Sequence, residues 1–486
     1  MGVKLNVVGK IDLDALNQSA YRSIDPNEPF KVISIKVAFG EQEPLILDFG
    51  EIGDDNPDEF RYFSLFIGKN GLGKSMLLCE IIDFMVDASK GEYIPTRKYV
   101  NILSMAYTMG GRLFEITRED NGGFTYRRDK RPATFRRIEF PLIIASTMGM
   151  FDKFPLNSYS WKKGYYNVDF YRYVGPKANS NLYSTKTNLM FQMLGNLRDL
   201  KRKQQMTKVS KILNFIGYES KLMVKFKIRA SSSDNNSNSK KVLKTNAQAY
   251  YDSLKPGALY EETIDFERDT MPHVRQIQFR EISEMKQKGY LAAYECYLYQ
   301  NGSPIECNHL SSGGFNMLSM VMSVVLTSRK SHLLILLDEP EISHHPNWQM
   351  EIIDNLDDAL SDYKCHFMIA THSHFLVSDL PIGRSNVMDI ERNEEGQTEI
   401  TPLLAETYGW SAEEVLLKAF KMPTDRNKYL AEVVGELMRG IADKSIDIHE
   451  VSEKLDFLKK VKVHLSDVDP MKKIIETILG TFERYE

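Results

Sequence analysis

Ten residues, Phe66-Ile67-Gly68-Lys69-Asn70-Gly71-Leu72-Gly73-Lys74-Ser75, constrain this chain more than any other stretch. They lie between an apolar strand-like run and an apolar helical run, and they carry the G-x-x-x-x-G-K-[ST] spacing. In that spacing the glycines let successive backbone N–H groups turn toward a polyphosphate with no Cβ in the way. Gly68, Asn70, Gly71, Gly73, Lys74 and Ser75 are therefore candidate phosphate contacts. Lys74 would reach the β- and γ-phosphates, and the Ser75 hydroxyl would take one coordination position of Mg²⁺. A helix from Lys74 to about Met85 adds the positive end of its dipole.

Three later segments supply the other groups such a site needs. Ser331–Pro340 is an apolar run closed by Asp338 and Glu339, the pattern of a buried parallel strand that delivers two carboxylates to the edge of a nucleotide site. Asp338 is expected to hold Mg²⁺ through water and Glu339 to polarise the attacking water. Leu310-Ser311-Ser312-Gly313-Gly314 precedes that strand and opens a helix from Ser312 to about Thr327. Met368-Ile369-Ala370-Thr371-His372-Ser373 follows it.

In this order the four segments resemble the Walker A, signature, Walker B and switch-histidine motifs of the ABC-type ATPases. The run Asp338-Glu339-Pro340-Glu341-Ile342-Ser343-His344-His345-Pro346 is similar to the version in RecF-like and OLD-like members. The resemblance implies an ATPase with ATP and Mg²⁺ as ligands, a γ-phosphate contact from His372, and a D-loop over Ser343–Pro346 that crosses a dimer interface. It also implies that Ser311, Ser312 and Gly313 serve the nucleotide of a facing subunit. Two chains then sandwich two ATPs head to tail, as a homodimer or a higher assembly of dimers. Two positions depart from the family pattern. The fifth signature position, commonly Gln or Glu, is Gly314, and no glutamine suits a Q-loop after the strand near Pro141–Ala145.

The expected fold class is α/β: an ABC-type P-loop core with an antiparallel β-layer, a helical insertion and a helical C-terminal region. Residues 1–186 form the first part of the core, 187–288 a mainly helical insertion, 289–402 the second part of the core, and 403–486 the C-terminal helices. Residues 1–29 read as a short arm. Phe30–Phe39 alternates and Pro44–Phe49 is strand-like, which predicts a hairpin ahead of the phosphate loop. Arg112–Ile116 and Phe140–Ala145 are assigned to the antiparallel layer, with a turn at Asn121-Gly122-Gly123. The chain between Lys74 and Asp338 is far longer than one strand–helix set needs, hence the insertion. It has helical spacing over Asn188–Ile216 and a polar Ser/Asn-rich loop over Ala230–Thr245. Asn301-Gly302 turns a hairpin of Tyr290–Leu298 and Ser303–Cys307 back toward Ser311. Ser385–Ile390 and Gln397–Thr401 are closing strands, and Ser411-Ala412-Glu413-Glu414 has capping-box spacing.

Lys plus Arg number 62 against 66 Asp plus Glu, a net charge of −4, so any nucleic-acid affinity must come from a local patch. Arg198–Lys211 with Lys240, Lys241 and Lys244 is the candidate, although a solvated helix face is the commoner origin of such a run. The four cysteines lack CxxC spacing and read as reduced thiols. No apolar run approaches the ~18 uncharged residues of a membrane span, so a cytoplasmic protein without membrane contact is expected. His344-His345 suits a D-loop better than an HNH centre, and Asp467-Val468-Asp469 lacks the upstream strand ending in Glu that a TOPRIM nuclease requires. The resemblance is therefore nearest to the ATPase subunits of bacterial antiphage defence systems, the Septu (PtuA-like) and PARIS (AriA-like) families. That implies infection sensing and control of a separate nuclease effector of HNH or TOPRIM type, with DNA or a phage component as a further partner. The alternative is a RecF-like DNA-repair or DNA-end-binding ATPase.

Overall fold

The computed structural model describes residues 30–50, 60–93, 99–147, 149, 153–156, 168–175, 177–179, 182–183, 186–187, 190–191, 203–229, 243–268, 272–327, 332–342, 344–361, 363–403, 407, 409–410, 414–416, 419, 428–443, 448–464 and 470–482. The arm at 1–29, residues 192–202 of the expected helix, residues 230–242 of the polar loop, Ser343, the Ser411–Glu413 part of the capping box and the Asp467–Asp469 run lie outside them.

The first half of the core contributes β1 (Lys31–Phe39), β2 (Leu45–Asp48), β3 (Arg61–Gly68), α1 (Lys74–Lys90), β4 (Val100–Met109), β5 (Arg112–Arg118), β6 (Phe124–Arg128), β7 (Arg131–Ala133), β8 (Leu142–Thr147) and β9 (Tyr171–Val174). A small hairpin, β10 (Lys177–Asn179) and β11 (Leu182–Tyr183), leads to α2 (Lys203–Phe215), β12 (Lys221–Ile228), α3 (Thr245–Asp252), β13 (Leu259–Asp265) and α4 (Pro272–Gln287). Then follow β14 (Leu291–Gln300), β15 (Ser303–Glu306), α5 (Ser312–Thr327), β16 (His332–Asp338), α6 (Pro346–Met350), α7 (Ile352–Ala359), β17 (Lys364–Ala370), α8 (His374–Ser378), β18 (Ser385–Arg392) and β19 (Thr398–Pro402). The chain ends in α9 (Lys428–Asp443), α10 (Ile448–His464) and α11 (Pro470–Phe482).

Period-two burial in the central strands separates two hydrophobic cores, one on each face of the parallel sheet. The seven-stranded sheet has the order β19-β18-β3-β17-β16-β8-β9, parallel throughout except for β19. β16 is apolar from Leu333 to Leu337 because both of its faces are covered. Leu333, Ile335 and Leu337 join the core that holds α5, α7 and the insertion, while Leu334 and Leu336 join the core around α1. α1 lies between that second face and the antiparallel six-stranded layer β2-β1-β4-β5-β6-β7. Leu142–Thr147, expected in the antiparallel layer, is β8 of the parallel sheet and pairs with β16. All six of its residues are buried, so the continuous apolar run marks a strand covered on both faces, whereas an edge-layer strand would alternate.

Two buried polar groups fasten the layer to the core. His366 of β17 accepts from the Val32 N–H at Nδ1 (3.0 Å), next to a register shift in the β1–β4 ladder, and its Nε2 meets Ser64 Oγ at 2.8 Å. Arg118 of β5 donates to Glu80 Oε1 (2.5 Å) and Asp87 Oδ2 (3.1 Å) on α1 and to the Ile102 carbonyl (3.0 Å), with its guanidinium over the Tyr93 ring. Removing one partner of a buried ionic cluster leaves the others desolvated, at about 3–5 kcal/mol. Arg118→Met is therefore expected to lower unfolding stability by about that amount in urea titrations, and a loss below about 1 kcal/mol would show that the cluster does not hold α1.

The insertion carries three described helices, as the helical expectation requires, and also a sheet. β12 pairs with β13 and β14, and β15 completes the order β13-β12-β14-β15, so residues on both sides of the 288/289 boundary share one sheet. The Asn301-Gly302 turn joins β14 and β15 with both residues at positive φ, as a two-residue hairpin needs. Part of the basic run is used inside the fold: Lys208 is buried, and Lys211 pairs with Asp358 Oδ2 at 2.9 Å. The C-terminal helices α9, α10 and α11 pack on one another around Leu437, Leu458 and Ile475. Among the described residues no helix is long and apolar enough to cross a membrane.

Candidate nucleotide site

Register in the parallel sheet assembles the site. Phe66 of β3 lies beside Ala370 of β17, Ala370 beside Asp338 of β16, and Asp338 beside Thr147 of β8. The loop after β3, the carboxylates that close β16 and the Thr371–Ser373 segment after β17 therefore leave the sheet at one carboxyl edge, where open α/β sheets take their ligands.

The loop itself depends on glycine. Gly68 has φ 132°, and a Cβ there would stand 2.1 Å from the Ile390 carbonyl oxygen of β18. Gly73 caps α1 in the left-handed conformation, with φ 102°. Lys74 follows, buried, with its ammonium donating to the Gly68 and Lys69 carbonyls at 2.7 and 3.0 Å. Burial lowers its pKa to about 8 against the opposing pull of Glu339 and Asp338. An ammonium desolvated in this way gains from any anion brought into the loop. Ser75 Oγ donates to Asp338 Oδ1 at 2.8 Å, although 263 positions separate them. These adjacent hard oxygens fit Mg²⁺, which takes one or two protein oxygens and fills the rest of its octahedron with phosphate and water.

Glu339 stands just beyond, with its N–H on the Ala370 carbonyl (2.8 Å) and φ 50°, a left-handed backbone that costs a non-glycine residue of order 1–3 kcal/mol. That turn aims Glu339 Oε1 to within 3.7 Å of His372 Nε2. Burial and then Lys74 lower the His372 pKa to about 4, so at neutral pH the ring is an uncharged donor and acceptor. Glu341 Oε1 receives both the His372 N–H and the Thr371 hydroxyl at 2.8 Å, fixing the segment after β17 to the turn after β16. Burial raises the Glu341 pKa.

Ser311 and its neighbours are tied to the segment that follows the carboxylates. Ser311 Oγ accepts the Gly314 N–H at 3.2 Å, an N-cap for α5, and Asn316 Nδ2 donates to the Ile342 carbonyl at 3.4 Å. Gly314 has a steric reason. A Cβ there would stand 3.0 Å from Ser311 Oγ, tighter than an ordinary contact, with the Trp348 ring of α6 beyond it at 3.5 and 3.6 Å. His344 is buried and its pKa is lowered to about 4 by that burial, while exposed His345 caps α6 by accepting the Asn347 N–H at Nδ1 (3.4 Å). Among the described residues no group of three or more His, Cys, Asp or Glu could hold a metal. At the end of β8 stand Ser146 and Thr147, with Thr147 Oγ1 accepting the Gly149 N–H at 3.1 Å, and no glutamine occurs among residues 146–150.

Residues 51–377 match the AAA ATPase domain family. The chain belongs to that family. As a member of the AAA ATPase domain family it is an ATPase by class, in keeping with a phosphate loop that meets an acidic strand end. It is also similar to the Septu protein PtuA of Bacillus thuringiensis, 24% identical over 152 residues, which are 31% of this chain. The match spans just over a third (37%) of that curated relative's length. Among solved structures, the SMC head domain from Thermotoga maritima aligns at TM-score 0.38 and 12% identity over 77% of this chain and 100% of that one. The recombination mediator RecF bound to an ATP analogue aligns at 0.35 and 13%, over 78% and 99%.

Trp348 and Gln349 stand in no motif of the sequence, and Glu341, Thr371 and Ser373 stand within motifs that assign them no role. Glu341 had a usable signal, a third carboxylate within four residues of a buried strand end.

Proposed function

We infer that this chain binds ATP with Mg²⁺ at the carboxyl edge of its parallel sheet and hydrolyses it as an ABC-type ATPase between two copies, as part of an antiphage defence complex with a separate nuclease. The observation that carries the catalytic part is the Ser75–Asp338 contact at 2.8 Å beside a desolvated Lys74 and the Glu339–His372 pair at 3.7 Å. In this reading Gly68, Asn70, Gly71 and Gly73 turn their N–H groups to the phosphates, and Lys74 releases two carbonyls to hold the β- and γ-phosphates. Ser75 and Asp338 hold the metal. Mg²⁺ would neutralise charge on the transferred phosphoryl group. Glu339 takes a proton from the attacking water, and neutral His372 donates its ring N–H to the γ-phosphate. Ser311, Ser312 and Gly313, opening α5, present N–H groups and the positive helix end to the nucleotide of the facing chain.

Trans geometry gives a sharp test. Ser311→Arg places bulk and charge at the facing γ-phosphate and is expected to leave ATP binding by the isolated chain intact while stopping hydrolysis. Mixed with Lys74→Ala, it should restore at most one composite site per dimer. Full two-site turnover in the mixture would rule out the trans arrangement.

The likeness to PtuA supports the defence reading over the part of the chain it covers. The test is to express the chain with the product of its neighbouring gene and count plaques. Protection that needs both genes and is lost with Lys74→Ala is expected. Turnover stimulated by DNA ends, with no nuclease co-purifying, would favour the DNA-end-binding reading instead.

A further inference from the structure

A ring of hydrogen bonds leaves the candidate γ-phosphate contact, and its middle member, which has no part in the chemistry above, sits on the helix whose Trp348 ring lies near Gly314 of α5. Ser373 follows His372, and its Oγ donates to Gln349 Oε1 at 2.6 Å. Gln349 Nε2 then donates to the His344 carbonyl at 3.1 Å, and the His344 N–H returns to the Glu341 carbonyl at 3.0 Å. Glu341 closes the ring through the His372 N–H and Thr371 Oγ1, and Thr371 Oγ1 in turn accepts the Ser373 N–H at 2.9 Å. Gln349 is half-buried in α6, one residue from Trp348, whose indole covers Gly314.

We propose that Gln349 and Trp348 are positioning residues that couple the two composite sites, by tying the His372 segment of one nucleotide site to the Ser311–Gly314 segment that the same chain offers to the other. This rests on the trans reading of Ser311–Gly313. The physical case is that a Gln side chain supplies both an acceptor and a donor, so one residue fixes Ser373 and the His344 backbone together. A displacement of the His372–Ser373 segment by phosphate must therefore break the ring or move α6. If α6 moves, Trp348 shifts against Gly314, where there is no side chain to absorb the motion.

The chain has three tryptophans, so Trp161→Phe with Trp410→Phe leaves Trp348 as the sole indole reporter. ATP with Mg²⁺ is added, bound nucleotide is measured by equilibrium dialysis of labelled ATP, and Trp348 emission is read in the same samples. ATP binding is expected to change the emission. Gln349→Leu should still bind ATP within about twofold, lose the emission change, and lower kcat about tenfold with KM held, the cost of one lost hydrogen bond at the transition state. Gln349→Glu, which keeps an acceptor for Ser373 Oγ, should recover part of kcat, and it serves as the test variant should the leucine variant fail to fold. Adding Ser373→Ala to Gln349→Leu should cost no more than either change alone. Emission that stays silent while ATP is bound, or multiplicative losses in the double variant, would overturn the coupling and leave the nucleotide reading intact. Absence of ATP binding in the parent would remove that reading and the coupling with it.

Discussion

Glu339→Gln is expected to lower steady-state ATP turnover by roughly 10²–10⁴, the usual cost of losing a positioned general base. The amide keeps the size of the side chain and a hydrogen-bonding head at 3.7 Å from His372, but it cannot accept a proton from water. Binding should survive, because Lys74, Ser75 and Asp338 are untouched. The left-handed backbone at Glu339 belongs to the turn and not to the carboxylate, so folding should be little affected. On the defence reading proposed above, the variant in cells should stay assembled with the proposed nuclease and give no protection. Turnover near the parent's value would remove Glu339 from the role of base.

Lys74→Ala should act one step earlier. The ammonium sits among carbonyls and carboxylates, and its hydrogen bonds to phosphate would be charge-assisted in a desolvated pocket. Two such bonds are worth about 3–6 kcal/mol, which predicts a fall in ATP affinity of roughly 10²–10⁴. Isothermal titration or dialysis with ATP and Mg²⁺ reads this directly. Parent-like affinity would mean the loop is not a phosphate cradle.

Much of the site was legible because its parts are local. The glycines, Lys74 and Ser75 sit within eight residues, and β16 announces its two carboxylates by ending an apolar run. The hairpin of β1 and β2, the helix from Ser312 and the turn at Asn301-Gly302 follow from alternation and turn chemistry in the same way. What escaped was non-local. Phe140–Ala145 is an unbroken apolar run, which suits a strand covered on both faces, but the neighbour that covers it, β16, lies far along the chain. β12 alternates, with Leu222, Val224, Phe226 and Ile228 inward, but it is short and lies inside a long stretch whose dominant spacing is helical. Gln349 and Trp348 carry no local sign of function at all. Their partners Ser373 and Gly314 lie 24 residues later and on a different helix, so only the tertiary structure brings them together.

In the proposed function, nucleotide is held between two copies of this chain. Mass photometry of Glu339→Gln with and without ATP and Mg²⁺ tests it most directly, because bound ATP is not consumed. The mass should double, or rise by whole dimers, when ATP is added, and fall back when nucleotide is removed or when Ser311→Arg is introduced. A mass that stays constant while dialysis shows the site saturated with ATP would contradict it.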